Sequence, residues 1–241
     1  TGVHTPARRD TTAAAAAACS YRLAAHEIGA RVAPFGEGMN SHADENGTAG
    51  LHIAAMLGSV RPNNHTGKAL EIALAPLRAQ RGVTCDVLDP ADFALALPGQ
   101  PGAEALEQTL RARLAPADAV VLATPEYHGS YSSTLKVLLD NTGYPSELAG
   151  KPIALLGVAS GQLGAVKSLE HLRSVCSHIG ALVLPYPVSV PLIDSVFDEA
   201  GACVAPGVQA NLEAFAARLY AYLTRGELHP ATYEGSASAV D

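Results

Sequence analysis

Residues Leu51–Lys68 read LHIAAMLGSVRPNNHTGK, a segment that commits the chain to an α/β fold. An apolar run ends at Gly58 and opens into a polar loop carrying Ser59, Arg61, Asn64 and Thr66, after which helix formers begin. A strand that stops at a glycine, followed by short hydroxyl and amide side chains and then a helix, is how α/β proteins turn backbone N–H groups toward a phosphate. The same residue types favour an ordinary β-to-α turn, so the loop alone leaves both readings open. It does exclude two phosphate readers. A Walker loop needs GxxxxGK followed by Ser or Thr, whereas Pro62 stands where the first glycine belongs and Ala69 follows Lys68. The dinucleotide fingerprint GxGxxG fails as well, because Ser59 is followed by Val60 and Arg61 rather than by a second glycine. What remains suits a phosphate monoester held by amides, hydroxyls and the forked guanidinium of Arg61.

From this segment onward, short apolar runs alternate with helical patterns, the arrangement of βαβ units on a parallel sheet. The expected strands are Leu51–Leu57, Val83–Leu88, Ala119–Ala123, Pro152–Val158 and Leu182–Leu184. A first helix begins near Asn64 and turns Leu70, Leu74 and Leu77 to one face, with Pro76 expected to kink or shorten it. The second presents Leu106, Leu110 and Leu114 and stops before Pro116, and a third spans Ser132–Asn141 with Leu135, Leu138 and Leu139 inward. The fourth carries Leu169, Leu172, Cys176 and Ile179 and is closed by Gly180. A proline-broken segment runs to about Pro206, and the last helix shows Val208, Leu212, Phe215, Leu219 and Tyr222 at helical spacing, with a polar tail expected from Thr224.

Five strands and five helices in strict alternation imply a three-layer doubly wound parallel sheet with right-handed crossovers. Ligands of such sheets sit at the carboxyl ends of the strands. Three loops fall there, Gly58–Gly67, Thr124–Ser133 and Ala159–Gly164, all rich in Gly, Ser, Thr, Asn and Tyr.

The formal net charge of −7 comes with no lysine or arginine cluster, which argues against nucleic acid or an anionic membrane surface as a partner. No apolar run approaches the roughly 18 residues of a membrane span. Cys19, Cys85, Cys176 and Cys203 form neither a CxxC pair nor a metal-ligand spacing and read as buried small apolar residues in a reducing, cytoplasmic setting. Residues 1–48, with an alanine run at Ala13–Ala18, read as a disordered or targeting leader, residues 49–223 as the folded domain and 224–241 as a polar tail.

The second loop, Pro125-Glu126-Tyr127-His128-Gly129-Ser130-Tyr131, lacks a Gly-x-Ser-x-Gly elbow, an acid partner near His128 and a companion carboxylate for Glu126. Tyr127 and the surrounding amides suit instead a flat wall for a planar, polar-rimmed heterocycle. Taken together, GSVR at Gly58–Arg61, PEYHGSYSSTLKVLLDN at Pro125–Asn141 and SGQLG at Ser160–Gly164 resemble the NADPH-dependent FMN reductase family of the flavodoxin-like fold. The resemblance spans roughly residues 51–223 and implies a five-stranded sheet ordered 2-1-3-4-5. It also implies that Ser59, Arg61, Asn64 and Thr66 bind the FMN phosphate. Pro125, Glu126, Tyr127, His128 and Gly129 would line the isoalloxazine, chiefly through backbone groups, and Ser160 and Gly161 would meet its pyrimidine edge. Many relatives carry Ser at the place of Asn64 and Asn at that of Thr66.

The chemistry implied is hydride transfer from NADPH or NADH to flavin and onward to a small acceptor such as free flavin, a quinone, an azo compound or a metal ion. It requires no catalytic acid or base from the protein and no metal site. Relatives assemble as homodimers or homotetramers, with the third helix the expected contact. Two other readings carry different consequences: a flavodoxin-type electron carrier would hold FMN without oxidising NADPH, and a partner-binding domain would not take up FMN.

Overall fold

The computed structural model describes His42–Ala43 and residues 49–228 of the 241 in the chain, so that of the expected leader only His42–Ala43 is described, as a strand rather than as disordered chain, and the last residues of the tail lie outside. Strand β1 (His42–Ala43) pairs antiparallel with the start of β2 (Ala49–Leu57). Helix α1 (His65–Arg78) leads to β3 (Val83–Leu88), and α2 (Ala103–Leu114) to β4 (Ala119–Tyr127). A short β5 (Ser130–Tyr131) then precedes α3 (Ser133–Asp140). Strand β6 (Pro152–Val158), α4 (Val166–His178), β7 (Leu182–Val183), β8 (Val188–Val190) and α5 (Pro206–Arg225) complete the order.

Strands pair in parallel in the order β3, β2, β4, β6, with β7 and β8 both on the free side of β6. This is the expected 2-1-3-4-5 sheet, its fifth strand divided in two. The division follows from Pro185 and Pro187, whose missing amides cannot serve a continuous ladder. Because successive side chains of a strand face opposite ways, β2 divides its residues between two cores. Ile53, Ala55 and Leu57 join α1 and α5, while Ala54 and Met56 join α2, α3 and α4.

Three expectations need correction. Pro76 neither kinks α1 into two pieces nor ends it, since the helix runs on to Arg78 with Leu77 fully buried in the core beneath. Burying Leu77 offsets the one hydrogen bond the proline removes from the last turn. The strand expected at Ala119–Ala123 continues to Tyr127, so Thr124–Tyr127 is not loop but one arm of a hairpin with β5. The helix expected to give way to a polar tail at Thr224 runs on to Arg225 and ends at Gly226 in a left-handed C-cap. Among the described residues no helix is long and apolar enough to cross a membrane, and no group of His, Cys, Asp or Glu side chains is placed to hold a metal.

Candidate functional site

The first loop leaves β2 at Gly58, whose amide donates to the Ala123 carbonyl at 2.7 Å. A Cβ built on Gly58 would stand 2.8 Å from that oxygen and 3.0 Å from Ser132 Oγ, so the two backbones meet only because this residue has no side chain. Ser132 Oγ donates to the Gly58 carbonyl at 2.6 Å and accepts from the Leu135 amide at 3.1 Å, binding the first loop to the start of α3. The buried Thr124 hydroxyl accepts from the Ser132 amide at 3.0 Å. Neither Ser132 nor Thr124 was singled out in the sequence as a site residue. Ser132 carries a readable signal, a serine just before a helical repeat, as an N-cap should be.

Past Gly58 the chain places Ser59 in a buried position, its hydroxyl 3.4 Å from the Arg61 amide that points toward it. Asn64 is the N-cap of α1. Its Oδ1 accepts from the Gly67 amide at 2.7 Å while its Nδ2 donates to the Arg61 carbonyl at 2.8 Å. Asn64 therefore shapes the cradle with its side chain already engaged on both polar atoms. Thr66 is buried in the first turn of the helix. The amides of His65 and Thr66 donate to no acceptor among the described residues, leaving the positive end of α1 open beside Ser59 and Arg61.

The second loop is a hairpin pairing Glu126 with Tyr131 and Tyr127 with Ser130. His128 and Gly129 form its two-residue tip with φ of 51° and 74°, the left-handed pair such tight hairpins require. Gly129 adopts this conformation freely and His128 at some cost. Tyr127 is 39% exposed, and the Arg61 guanidinium carbon lies 5.4 Å from its ring centroid. First and second loops thus meet through a cation over an aromatic face. Pro125 is buried, and the Glu126 carboxylate accepts from the Ser168 amide at 3.0 Å in the first turn of α4. A carboxylate there satisfies an orphan helix donor and complements the helix dipole. The role of Glu126 as a cap across two elements is invisible in the sequence, where 42 residues separate the partners.

The third loop begins after Ala159, and Ser160 and Gly161 are exposed. Their amides find no acceptor among the described residues, while the Gly161 carbonyl receives the amides of Gly164 and Leu192. Gly164, at φ 66°, has room for no side chain: a Cβ would lie 2.3 Å from Ser189 Oγ, which accepts from the Ala165 amide at 2.8 Å. Within β6, a Cβ on Gly157 would come 2.6 Å from that of Ala165, so this glycine lets α4 pack down on the strand.

All three loops occupy the same end of the sheet, the first and second joined through Ser132 and through Arg61 over Tyr127. Their donor set fits FMN: an open helix N-terminus with a hydroxyl and a guanidinium for a dianion, an aromatic wall, and free amides on the far side for the polar edge of a ring. Thiol chemistry has no place in it. Cys176 is buried on α4 facing the sheet, and burial pushes its thiol up to about 12, which keeps it protonated. Cys85 and Cys203 are only half-buried, against the expectation of buried cysteines, and Cys19 lies outside the described residues.

Comparison with known proteins places this geometry in context. Residues 51–193 match the family described as NADPH-dependent FMN reductase. A 2-hydroxy-1,4-benzoquinone reductase from Burkholderia sp is 31% identical over 172 residues, covering 68% of this chain and 92% of the relative. An NAD(P)H-dependent FMN reductase of Pseudomonas aeruginosa is 29% identical over 160 residues, covering 63% of this chain and 83% of its own. Among solved structures, an oxidoreductase from Corynebacterium diphtheriae superposes with a TM-score of 0.58 at 20% identity, covering 74% of this chain and 98% of that one. The NAD(P)H:(acceptor) flavoenzyme FerB of Paracoccus denitrificans gives 0.56 at 22%, covering 69% and 96%. These structural likenesses concern the fold.

Proposed function

The chain belongs to the NADPH-dependent FMN reductase family, an NAD(P)H-dependent flavin oxidoreductase, and on that premise we propose where the cofactor sits and what it reduces. Ser59, Arg61, Thr66 and the open amides of α1 hold the FMN phosphate, with Asn64 fixing the curvature of the loop around it. The backbone of Pro125–Gly129 and the Tyr127 ring line the isoalloxazine. The amides of Ser160 and Gly161 meet its pyrimidine edge, where fixed N–H dipoles favour negative charge. FMN held by these residues would supply two-electron chemistry between reduced nicotinamide and a second substrate. The protein's part is to position the reactants and exclude competing geometries, and no side chain need exchange a proton.

The observation that carries this reading is the contact of Arg61 with Tyr127, which joins the anion end and the aromatic wall in one cleft. An exposed tyrosine face at its mouth favours a flat conjugated acceptor, a quinone, an azo compound or free flavin, over a metal ion. The curated relatives include enzymes named quinone reductase and FMN-dependent NADPH-azoreductase. A second copy of the chain would cover the surface around α3, where Tyr144 in the following loop is 97% exposed.

The test is spectroscopic. The purified protein should take up one FMN, bleach on anaerobic addition of NADPH and regain its yellow colour with benzoquinone. Colourless protein that binds no FMN would end the proposal. Flavin that stays oxidised under NADPH would mark a carrier instead, and bleached flavin untouched by quinone would remove the acceptor class. Sedimentation as a monomer at micromolar concentration would remove the second copy.

A further inference from the structure

Among the described residues five cations stand in ion pairs, Arg78 with Glu71, Arg111 with Glu107 and Glu147, Arg113 with Asp86, Lys136 with Asp140 and Arg225 with Glu227. Lys167, in the first turn of α4, makes no ion pair among the described residues. Its side chain instead lies along the tip of the hairpin, where a Cβ built on Gly129 would be 3.3 Å from Lys167 Cδ and 4.0 Å from Nζ. Glycine suits the tip for its left-handed backbone, and a side chain there would press on the lysine chain by a few tenths of an ångström.

The surroundings are those of an anion seat. The amides of His128 and Gly129 project from the tip of the turn and donate to no acceptor among the described residues. One turn along α4, His171 Nδ1 lies 3.1 Å from Ser130 Oγ and fixes the helix to the hairpin. The nearby carboxylate of Glu126 is engaged by the Ser168 amide, and Glu170 is exposed on the same helix. An ammonium without a counter-ion beside two outward amides is the donor set that takes a phosphoryl oxygen.

We propose that Lys167 and the amides of the His128–Gly129 turn form the seat for a phosphoryl group of the nicotinamide dinucleotide, and so set its affinity. The inference rests on the reading that FMN lies against Tyr127. A dinucleotide whose nicotinamide stacks on that flavin must lay its phosphates over the surrounding loops, and the hairpin tip directly follows Tyr127. The phosphate of FMN is assigned to Arg61, which lies over Tyr127, so the two anions do not compete for one cation.

The experiment uses the full chain loaded with FMN, comparing wild type with Lys167→Gln and Lys167→Arg. Binding of NADP+ and NAD+ is read from the perturbed flavin spectrum, alongside KM and kcat for NADPH and NADH. Losing one charge-assisted contact should raise the NADPH KM and the NADP+ Kd about tenfold, with kcat within about twofold and FMN retained. The arginine variant should keep most of the affinity. A rise confined to NADPH and NADP+ assigns the seat to the 2′-phosphate, and an equal rise for NADH and NAD+ assigns it to the pyrophosphate. Unchanged KM and Kd for both pairs, or a fall in kcat alone, overturns the inference while leaving the flavin reading intact. Wild-type protein that takes up no FMN overturns both.

Discussion

Arg61 and Ser132 show how much of the cleft depends on single side chains. Arg61 lies over Tyr127 with no carboxylate partner among the described residues, which leaves its guanidinium free for a phosphate. Arg61→Ala should therefore weaken FMN binding by about 1.5–3 kcal/mol, the worth of hydrogen bonds to charged groups. Fluorescence titration of the apoprotein with FMN measures it, and unchanged affinity would take Arg61 out of the site. Ser132 has a different duty. Fully buried, it holds the Gly58 carbonyl and caps α3 with the same oxygen. Ser132→Ala leaves a buried carbonyl and a helix amide short of a partner, at a cost of about 1–3 kcal/mol in a urea melt. A variant as stable as wild type would show that the loop does not need this tie.

Helix α4 and the hairpin behave as one unit because Glu126 reaches from strand to helix and His171 reaches back to Ser130. Glu126→Ala removes a charged cap and should lower stability by about 1 kcal/mol, while Glu126→Gln, which still accepts from Ser168, should lose less. Amide hydrogen exchange in Val166–Leu169 is the direct readout, with faster exchange expected in the alanine variant. Equal exchange rates in wild type and variant would mean that the helix start is held by other contacts. Helix α1 teaches a related lesson about local rules. Pro76 opposes continuation, yet Leu77 is buried one residue later and the Ala79 amide closes onto Ala75. Packing prevails over a propensity penalty confined to the last turn.

For the molecule as a whole, the ion pair most relevant to acid stability lies at the edge of the sheet. Arg113 grips Asp86 of β3 through two nitrogens and also donates to the Val87 carbonyl at 2.8 Å. The hydrogen bonds from Arg113 hold the Asp86 carboxyl below its usual range, against the smaller opposing effect of burial. A depressed value means that the unfolded chain binds the proton more readily, so stability rises with pH across this window. The contribution is complete above the ordinary aspartate value of about 3.9 and is lost as pH falls through the lower folded value. With the two side chains 28% and 30% exposed, it amounts to about 1 kcal/mol or less. Asp86→Asn should therefore melt earlier than wild type at pH 7 and lose less between pH 5 and pH 3. Parallel pH profiles for the two proteins would refute this.

How far the chain could be read before folding differs between fold and site. Val83–Leu88 and Pro152–Val158 were legible to the residue, because a short apolar run between glycines or prolines has few alternatives to a buried parallel strand. The doubly wound parallel sheet and the end at which the three loops gather follow from alternation and the handedness of crossovers, whereas the strand order was implied only by the family resemblance. Residue types that could meet a phosphate and a flat ring were also visible, since only a few side chains carry the needed donors. Which of them are spent elsewhere was not. That Asn64 is consumed by its own loop, that Glu126 serves a helix 42 residues on, and that Lys167 lies against Gly129 depend on side-chain directions across separate elements. Those directions are set when the sheet closes and the cores pack, and local pattern carries no record of them.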